Sequence, residues 1–552
     1  MKKATVAVMV AGLAGFAACA EQEVADDLGQ TLPISDGDVT KAEVGKADSS
    51  VEAIFLDFAF EGELLTTTSF NPNGQIEEQM LYTIGHLNGD NSVGRIDKLA
   101  LTNVKTERVG DMIRVTYSAS LQVAWGRRNA VPATYMLQLP RDVSFKGLEK
   151  FTASYSRDCV GFDAHDVTTG NMWYHYRPKA FSCRLNDADV VKMQATVSVS
   201  AVNTSGRFPE YHKVWEDGVL KVVAIFGKYD DGATTSADAG VAAYNSFVGA
   251  MRDELRTRSP KTTPAVVPAN PGVAVPDVTF EATLDDTHRI VVTALLVDNV
   301  RTAGRTFDNR YSALSSDADL IVYNGHAGLG ANIRALASKG DWVPGQYVII
   351  FMNGCDTYAY VDSSLFDAHA AINDDDPRGT KHVDLVTNGM PSFFRSMSTA
   401  TLAFIRGLVS FKAPQTYEQI FRNVDRSEVV LVSGEEDNVF VPGFGEGGET
   451  PEPIVAWEGL ELGGTVVRDQ EMRFETPTLP SGSYTFLMEG TRDADLYIRV
   501  GDAPTTSKYD CRPFKAGSGE VCKVQLSSPA VIHGMVRGWD ASSDFDLVGS
   551  VD

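Results

Sequence analysis

The sequence predicts a multi-domain chain: a β-rich N-terminal domain, a central α/β domain on a mainly parallel sheet, and a C-terminal antiparallel β-sandwich. Three observations carry this expectation. Apolar and polar residues alternate through Met112–Val123 and Val191–Val202, as in half-buried strands. Short unbroken apolar runs at Leu220–Phe226, Arg289–Val297, Ala318–Tyr323 and Gln346–Met352 are separated by helix-length segments, the pattern of a sheet covered on both faces. A Gly-, Glu- and Pro-rich stretch from Glu435 to Pro453 precedes a last strand-like region.

The chain opens Met1-Lys2-Lys3, followed by an uncharged run from Ala4 to Ala18. That run has the length of a signal-peptide core and is short for a transmembrane helix. Residues 1–20 are therefore read as a signal peptide. Phe16-Ala17-Ala18-Cys19 resembles a bacterial lipobox, with Phe16 where Leu is usual. The resemblance implies lipidation of Cys19 and attachment to a membrane through a lipid anchor only. The other reading is cleavage after Ala18-Cys19-Ala20. Either way the chain is expected to be exported, as an envelope lipoprotein or a secreted protein. Residues 21–50 lack periodicity and read as a disordered spacer.

The 552 residues carry a net charge of −24 and 43% hydrophobic residues. The apolar fraction is that of a globular chain. The charge excludes a broad basic surface for nucleic acid. Of the six cysteines, Cys159 and Cys183 form one candidate disulfide, and Cys511 and Cys522 a second, as an oxidising compartment permits. Cys355 is left over.

The domains are placed at 51–210 (β-rich, with little helix), 215–434 (α/β) and 454–552 (sandwich), with a linker at 435–453. Ala239 to Arg256 has helical apolar spacing, and Thr399–Phe411 is a further candidate helix. The segment between Cys159 and Cys183 holds His165, His175, Trp173, Tyr174 and Tyr176. It reads as a disulfide-closed aromatic loop, with a ligand site as the alternative.

Two apolar runs end in chemically capable residues: Leu320 to His326, then Ala327-Gly328, and Tyr347 to Gly354, then Cys355-Asp356. In open α/β sheets, sites form at the carboxyl ends of the strands. If these two strands are parallel neighbours, His326 and Cys355 meet across a crevice. An imidazole beside a thiol is an arrangement for nucleophilic catalysis. A strand ending in His-Gly, with a later strand ending in small residue-Cys, resembles the clan CD cysteine peptidases (caspases, gingipains, clostripain). The resemblance covers roughly Leu220 to Val432. It implies a caspase-like fold, His326 as general base and acid, Cys355 as nucleophile, and the backbone N–H groups of Ala327 and Cys355 as an oxyanion hole. Ala327 stands where that family has Gly.

Near the C-terminus, Gly482–Gly490, Asp493–Gly501, Cys511, Cys522 and Asp544-Phe545-Asp546-Leu547 resemble the bacterial pre-peptidase C-terminal domain, a β-sandwich appended to secreted peptidases. In that pattern Cys511 and Cys522 pair.

The resulting expectation is a lipid-anchored cysteine endopeptidase acting on protein or peptide substrates, without a cofactor and without a metal site. Asp374-Asp375-Asp376 is a candidate for structural calcium, or a solvated turn. Three other readings fit the same residues: an inactive peptidase-like scaffold of the envelope, an acyltransferase using the same pair, and a metal-dependent enzyme built on the His-bearing loop.

Overall fold

The structure is a computed structural model that describes residues 48–162, 164–444, 457, 459–479, 482–526 and 530–551. The expected signal peptide, Cys19 and most of the spacer lie outside these residues. The chain forms two compact units. One runs to Thr204 and from Pro209 to Asn438; the other takes Ser205–Phe208 and the chain from Val439 onward.

The first strands are β1 (Asp48–Ser50), β2 (Ile54–Thr66), β3 (Ser92–Val109), β4 (Met112–Trp125), β5 (Thr134–Pro140) and β6 (Val190–Val199). Strands β2 to β6 form an antiparallel sheet in the order β3-β4-β2-β6-β5. In β4, Ile113, Val115 and Tyr117 turn inward while the residues between them are half-exposed, as period-2 alternation requires.

The expectation of little helix here is corrected. A helix spans Pro72–Asn88, begun by Asn71, whose side chain accepts from the Gly74 N–H, and by proline in the first turn. It buries Ile76, Met80, Ile84 and Leu87, one face at helical spacing. A second helix covers Phe145–Tyr155 and is capped by Ser144.

The large sheet adds β7 (Val219–Gly227), β8 (Lys261–Thr263), β9 (Asp277–Thr283), β10 (Arg289–Val297), β11 (Leu320–Asn324), β12 (Val348–Asn353), β13 (Val383–Asn388) and β14 (Val430–Ser433). Its order is β1-β14-β13-β12-β11-β7-β10-β9-β8. The five strands β10-β7-β11-β12-β13 are mutually parallel. Both margins are antiparallel. The sheet is therefore mixed, and a caspase-like fold is not confirmed. Every residue of β11, β12 and β13 is buried, which explains the unbroken apolar runs that open β11 and β12. Helices Ala239–Leu255 and Phe394–Val409 pack on each other and on β7.

The N-terminal sheet is fastened to the large one by buried polar contacts. Gln122 donates to the Tyr358 hydroxyl at 2.7 Å and to Asp48 at 2.8 Å. Arg95 donates to Ser433 at 3.2 Å and to Asp97 at 2.8 Å.

The second unit contains β15 (Leu460–Val466), β16 (Glu471–Glu475), β17 (Gly482–Gly490), β18 (Ala494–Val500), β19 (Glu520–Leu526), β20 (Ile532–Gly538) and β21 (Ser543–Val551). Two antiparallel sheets, β15-β21-β17-β19 and β16-β20-β18, enclose Phe486, Leu496, Val536 and Leu547. Disulfides join Cys159 to Cys183 and Cys511 to Cys522, with Cα separations of 4.4 Å and 5.8 Å.

Candidate functional site

Strands β11 and β12 are parallel neighbours in register, with Asn324 opposite Asn353. Their carboxyl ends therefore share one edge of the sheet, the geometry at which sites form in open α/β sheets. The Asn353 carboxamide donates to Asn324 at 2.8 Å and accepts from Ser392 at 2.8 Å. Asn324 in turn donates to Thr401 at 3.0 Å. This buried network ties both strand ends to the Phe394–Val409 helix and to the segment before it. The turns that follow are equally close. A Cβ at Gly354 would lie 2.8 Å from the Gly325 carbonyl oxygen, so only glycine fits there.

His326 is half-buried at this edge. Its Nε2 donates to the Tyr229 carbonyl oxygen at 2.9 Å. The rings of Tyr229 and Phe394 flank it at 5.3 Å and 5.5 Å. The His326 carbonyl oxygen accepts from Tyr323 and Asn332, so the backbone of the turn is fixed. Ala327 is buried beside Gly354.

Cys355 does not present the unpaired thiol expected of it. It is buried, its Sγ lies 3.6 Å from the Ser392 carbonyl oxygen, and it is disulfide-bonded. The turn after it is roofed by the N-terminal half. Asp356 accepts from Asn88 at 3.2 Å and from the Tyr174 hydroxyl. The Trp173 ring stands 6.2 Å from that of Tyr360. The disulfide-closed aromatic loop therefore packs against the carboxyl end of β12.

Other titratable side chains of the first unit are paired or buried. Asp362 pairs with Arg334 at 3.3 Å. Asp376 accepts from the backbone N–H groups of Thr380 and Lys381, and Asp375 pairs with Lys381. His369 is buried with no hydrogen-bond partner on either ring nitrogen among the described residues. Burial and the nearby His382 push it down to about 4.

Two further carboxyls of the first unit are buried. Asp384 sits at the amino end of β13, where it accepts from Tyr347 at 2.5 Å, from Asn438 at 2.7 Å and from Tyr417. Burial pushes it up to about 7 against those hydrogen bonds. Glu428 accepts from Ser396 and from the Phe393 N–H, and burial pushes it up to about 7 as well.

No family model matches the chain. A stretch of it is similar to bacterial proteases. It is 37% identical over 99 residues to the neutral protease of Vibrio proteolyticus, covering 17% of this chain and 16% of that protein. It is 36% identical over 104 residues to a zinc metalloprotease of Helicobacter pylori, covering 18% and 41%. It is 46% identical over 58 residues to the alkaline serine exoprotease A of Vibrio alginolyticus, covering 10% and 11%. The chain thus spans well under half the length of each of these relatives. The solution structure of vEP C-ter 100 is 32% identical over 15% of this chain and 83% of its own, at a TM-score of 0.14, too low to bear on the fold.

These relatives correct the cysteine-peptidase expectation. The resemblance to clan CD peptidases, with His326 and Cys355 as a working pair, is not what the chain's relatives carry: they are named a neutral protease, metalloproteases and a serine exoprotease. No family model matches the pre-peptidase pattern either. The inactive-scaffold alternative gains nothing from relatives named as proteases.

The zinc named for the Helicobacter relative stands against the expectation of no cofactor. Its fit to this chain was decided by the donor set. Catalytic zinc takes three protein ligands, often two histidines one helical turn apart. None of the nine histidines has that spacing to another. Among the described residues no three His, Cys, Asp or Glu side chains gather so as to hold a metal ion. The residues do not fit zinc, and no catalytic step is derived through it.

Proposed function

We propose that this is an exported protein that acts on protein or peptide substrates, and that its C-terminal sandwich is the module it has in common with the proteases. The observation that carries this reading is the kind of relative it matches. Proteases named for zinc and for serine chemistry match over segments of 58 to 104 residues. Such lengths suit one small module, such as the sandwich, better than a whole enzyme. A module found with different chemistries serves a need they have in common, and a protein substrate is that need. Among the described residues no helix is long and apolar enough to cross a membrane.

Within the first unit, the carboxyl edge of the large sheet is the face at which we place the substrate. His326, held between Tyr229 and Phe394, is the side chain there suited to taking or giving a proton. No nucleophile is assigned.

The test is incubation of the purified chain with a mixed peptide pool and a denatured protein, read by mass spectrometry, with and without 1,10-phenanthroline. Cleavage that persists with the chelator and falls in His326→Ala supports the reading. Cleavage that the chelator abolishes and zinc restores would instead assign a metal centre. A folded chain that neither cleaves nor binds any peptide overturns it.

A further inference from the structure

The four-stranded sheet of the C-terminal unit has an outer face whose residues are fixed by register. Leu487 on β17 is flanked by Val548 on β21 and Val521 on β19. They are 40%, 44% and 41% exposed. They form one apolar row across three strands. Single exposed aliphatic residues need no explanation, but contiguous ones do.

The next row on the same face is acidic. Glu489 stands directly opposite Asp546, and Glu461, opposite Val548 on β15, ends the apolar row. Like charges facing each other across a strand pair are unfavourable. None of these three carboxylates meets a cation or hydrogen-bond donor among the described residues. Lys523, opposite Thr485, is the cation on the far side of the apolar row. The face therefore keeps an apolar strip and an uncompensated acidic strip side by side, an arrangement that a matching partner would relieve.

We propose that this face docks an extended polypeptide segment that carries an aliphatic side chain and a lysine or arginine two residues apart, and therefore on one face of the segment. The aliphatic groups would cover Val548, Leu487 and Val521. The cations would meet Glu489 and Asp546, one row away, which is two residues or about 6.6 Å along the strand. A second copy of this chain is a poorer occupant, because it would bring its own acidic row to the acidic row. The inference rests on the reading that the chain works on protein or peptide substrates, and it names the chemistry of the segment that is held.

The test measures binding alone, so that loss of cleavage and loss of docking are separable. Fluorescently labelled short peptides repeating Leu-Thr-Lys-Thr, Ser-Thr-Lys-Thr or Leu-Thr-Glu-Thr, which place the paired residues on one face when extended, are titrated with the full chain at physiological salt, read by anisotropy. The parent should prefer the Leu/Lys peptide by about tenfold or more over either control. Leu487→Ser should lose that preference. The double variant Glu489→Lys, Asp546→Lys should transfer it to the Leu/Glu peptide. All these positions are exposed, and circular dichroism checks each fold. Equal binding of the three peptides, or variants that bind as the parent does, would overturn the proposal. So would a concentration-dependent dimer in sedimentation that Leu487→Ser abolishes.

Discussion

The Asn353 carboxamide donates to that of Asn324 at 2.8 Å, across the ends of two parallel strands with no water-exposed atom between them. Asn353 also accepts from Ser392. Replacing Asn353 by Leu takes one donor from the Asn324 oxygen and one acceptor from the Ser392 hydroxyl in an apolar interior. The expected cost is about 1–3 kcal/mol, read as a lower urea midpoint for the first unit.

Asp384 gives a pH signature. Its folded-state value, about 7, lies above that of an ordinary carboxyl. The stability it contributes is present at pH 4 and is lost as pH rises towards and through 7. Asp384→Asn keeps an oxygen acceptor but cannot ionise. The variant should melt a few degrees above the parent at pH 8, taking about 1 kcal/mol as roughly 2–4 °C, and close to it at pH 4. Thermal melts at both pH values check this, and a gap that does not grow with pH counts against it.

Arg95 is buried among Asp97, Asp48 and Ser433. Arg95→Leu leaves Asp48 buried without its guanidinium partner. Breaking one side of a buried ion group costs about 3–5 kcal/mol. Chemical denaturation should show the loss in the first unit.

Removing the Cys511–Cys522 bridge by the double serine variant should lower the stability of the C-terminal unit by about 2–4 kcal/mol. The bridge ties the segment before β19 to the sandwich core, where Cys522 is buried. Differential scanning calorimetry should show one transition moving and the other unchanged.

With no zinc-ligand group among the described residues, 1,10-phenanthroline should leave both melting transitions within about 1 °C of the parent. A structural zinc would instead withdraw several kcal/mol on chelation.

The apolar runs of β11 and β12 were legible because strands buried on both faces are mostly apolar, whereas β13, with Asp384 and Thr387 inside it, shows no such run. The Asn71-Pro72 helix start was missed, although an Asn cap followed by proline is a local signal. The helix expected at Thr399–Phe411 begins earlier, at Phe394, because Phe394 and Met397 already face the core. The linker expected from Glu435 starts inside the fold: Glu435 and Asn438 are buried, and Asn438 reaches Asp384. No local pattern announces that cluster. Tyr347, Asp384, Tyr417 and Asn438 are brought together by strand register and by helix packing. Cys355 was set apart by pairing the other cysteines, and such elimination says nothing of where its side chain lies.

The pairing of β1 with β14 has a consequence in time. Asp48 lies opposite Ser433, and the Ser50 hydroxyl donates to the Val430 carbonyl oxygen 380 positions away. Contacts of such separation close late, because the intervening loop must first be ordered. During synthesis the early segment waits for a strand that emerges after nearly all of the first unit. Until β14 emerges, β13 keeps an unpaired edge able to accept a wrong strand, and β1 has no strand to pair with.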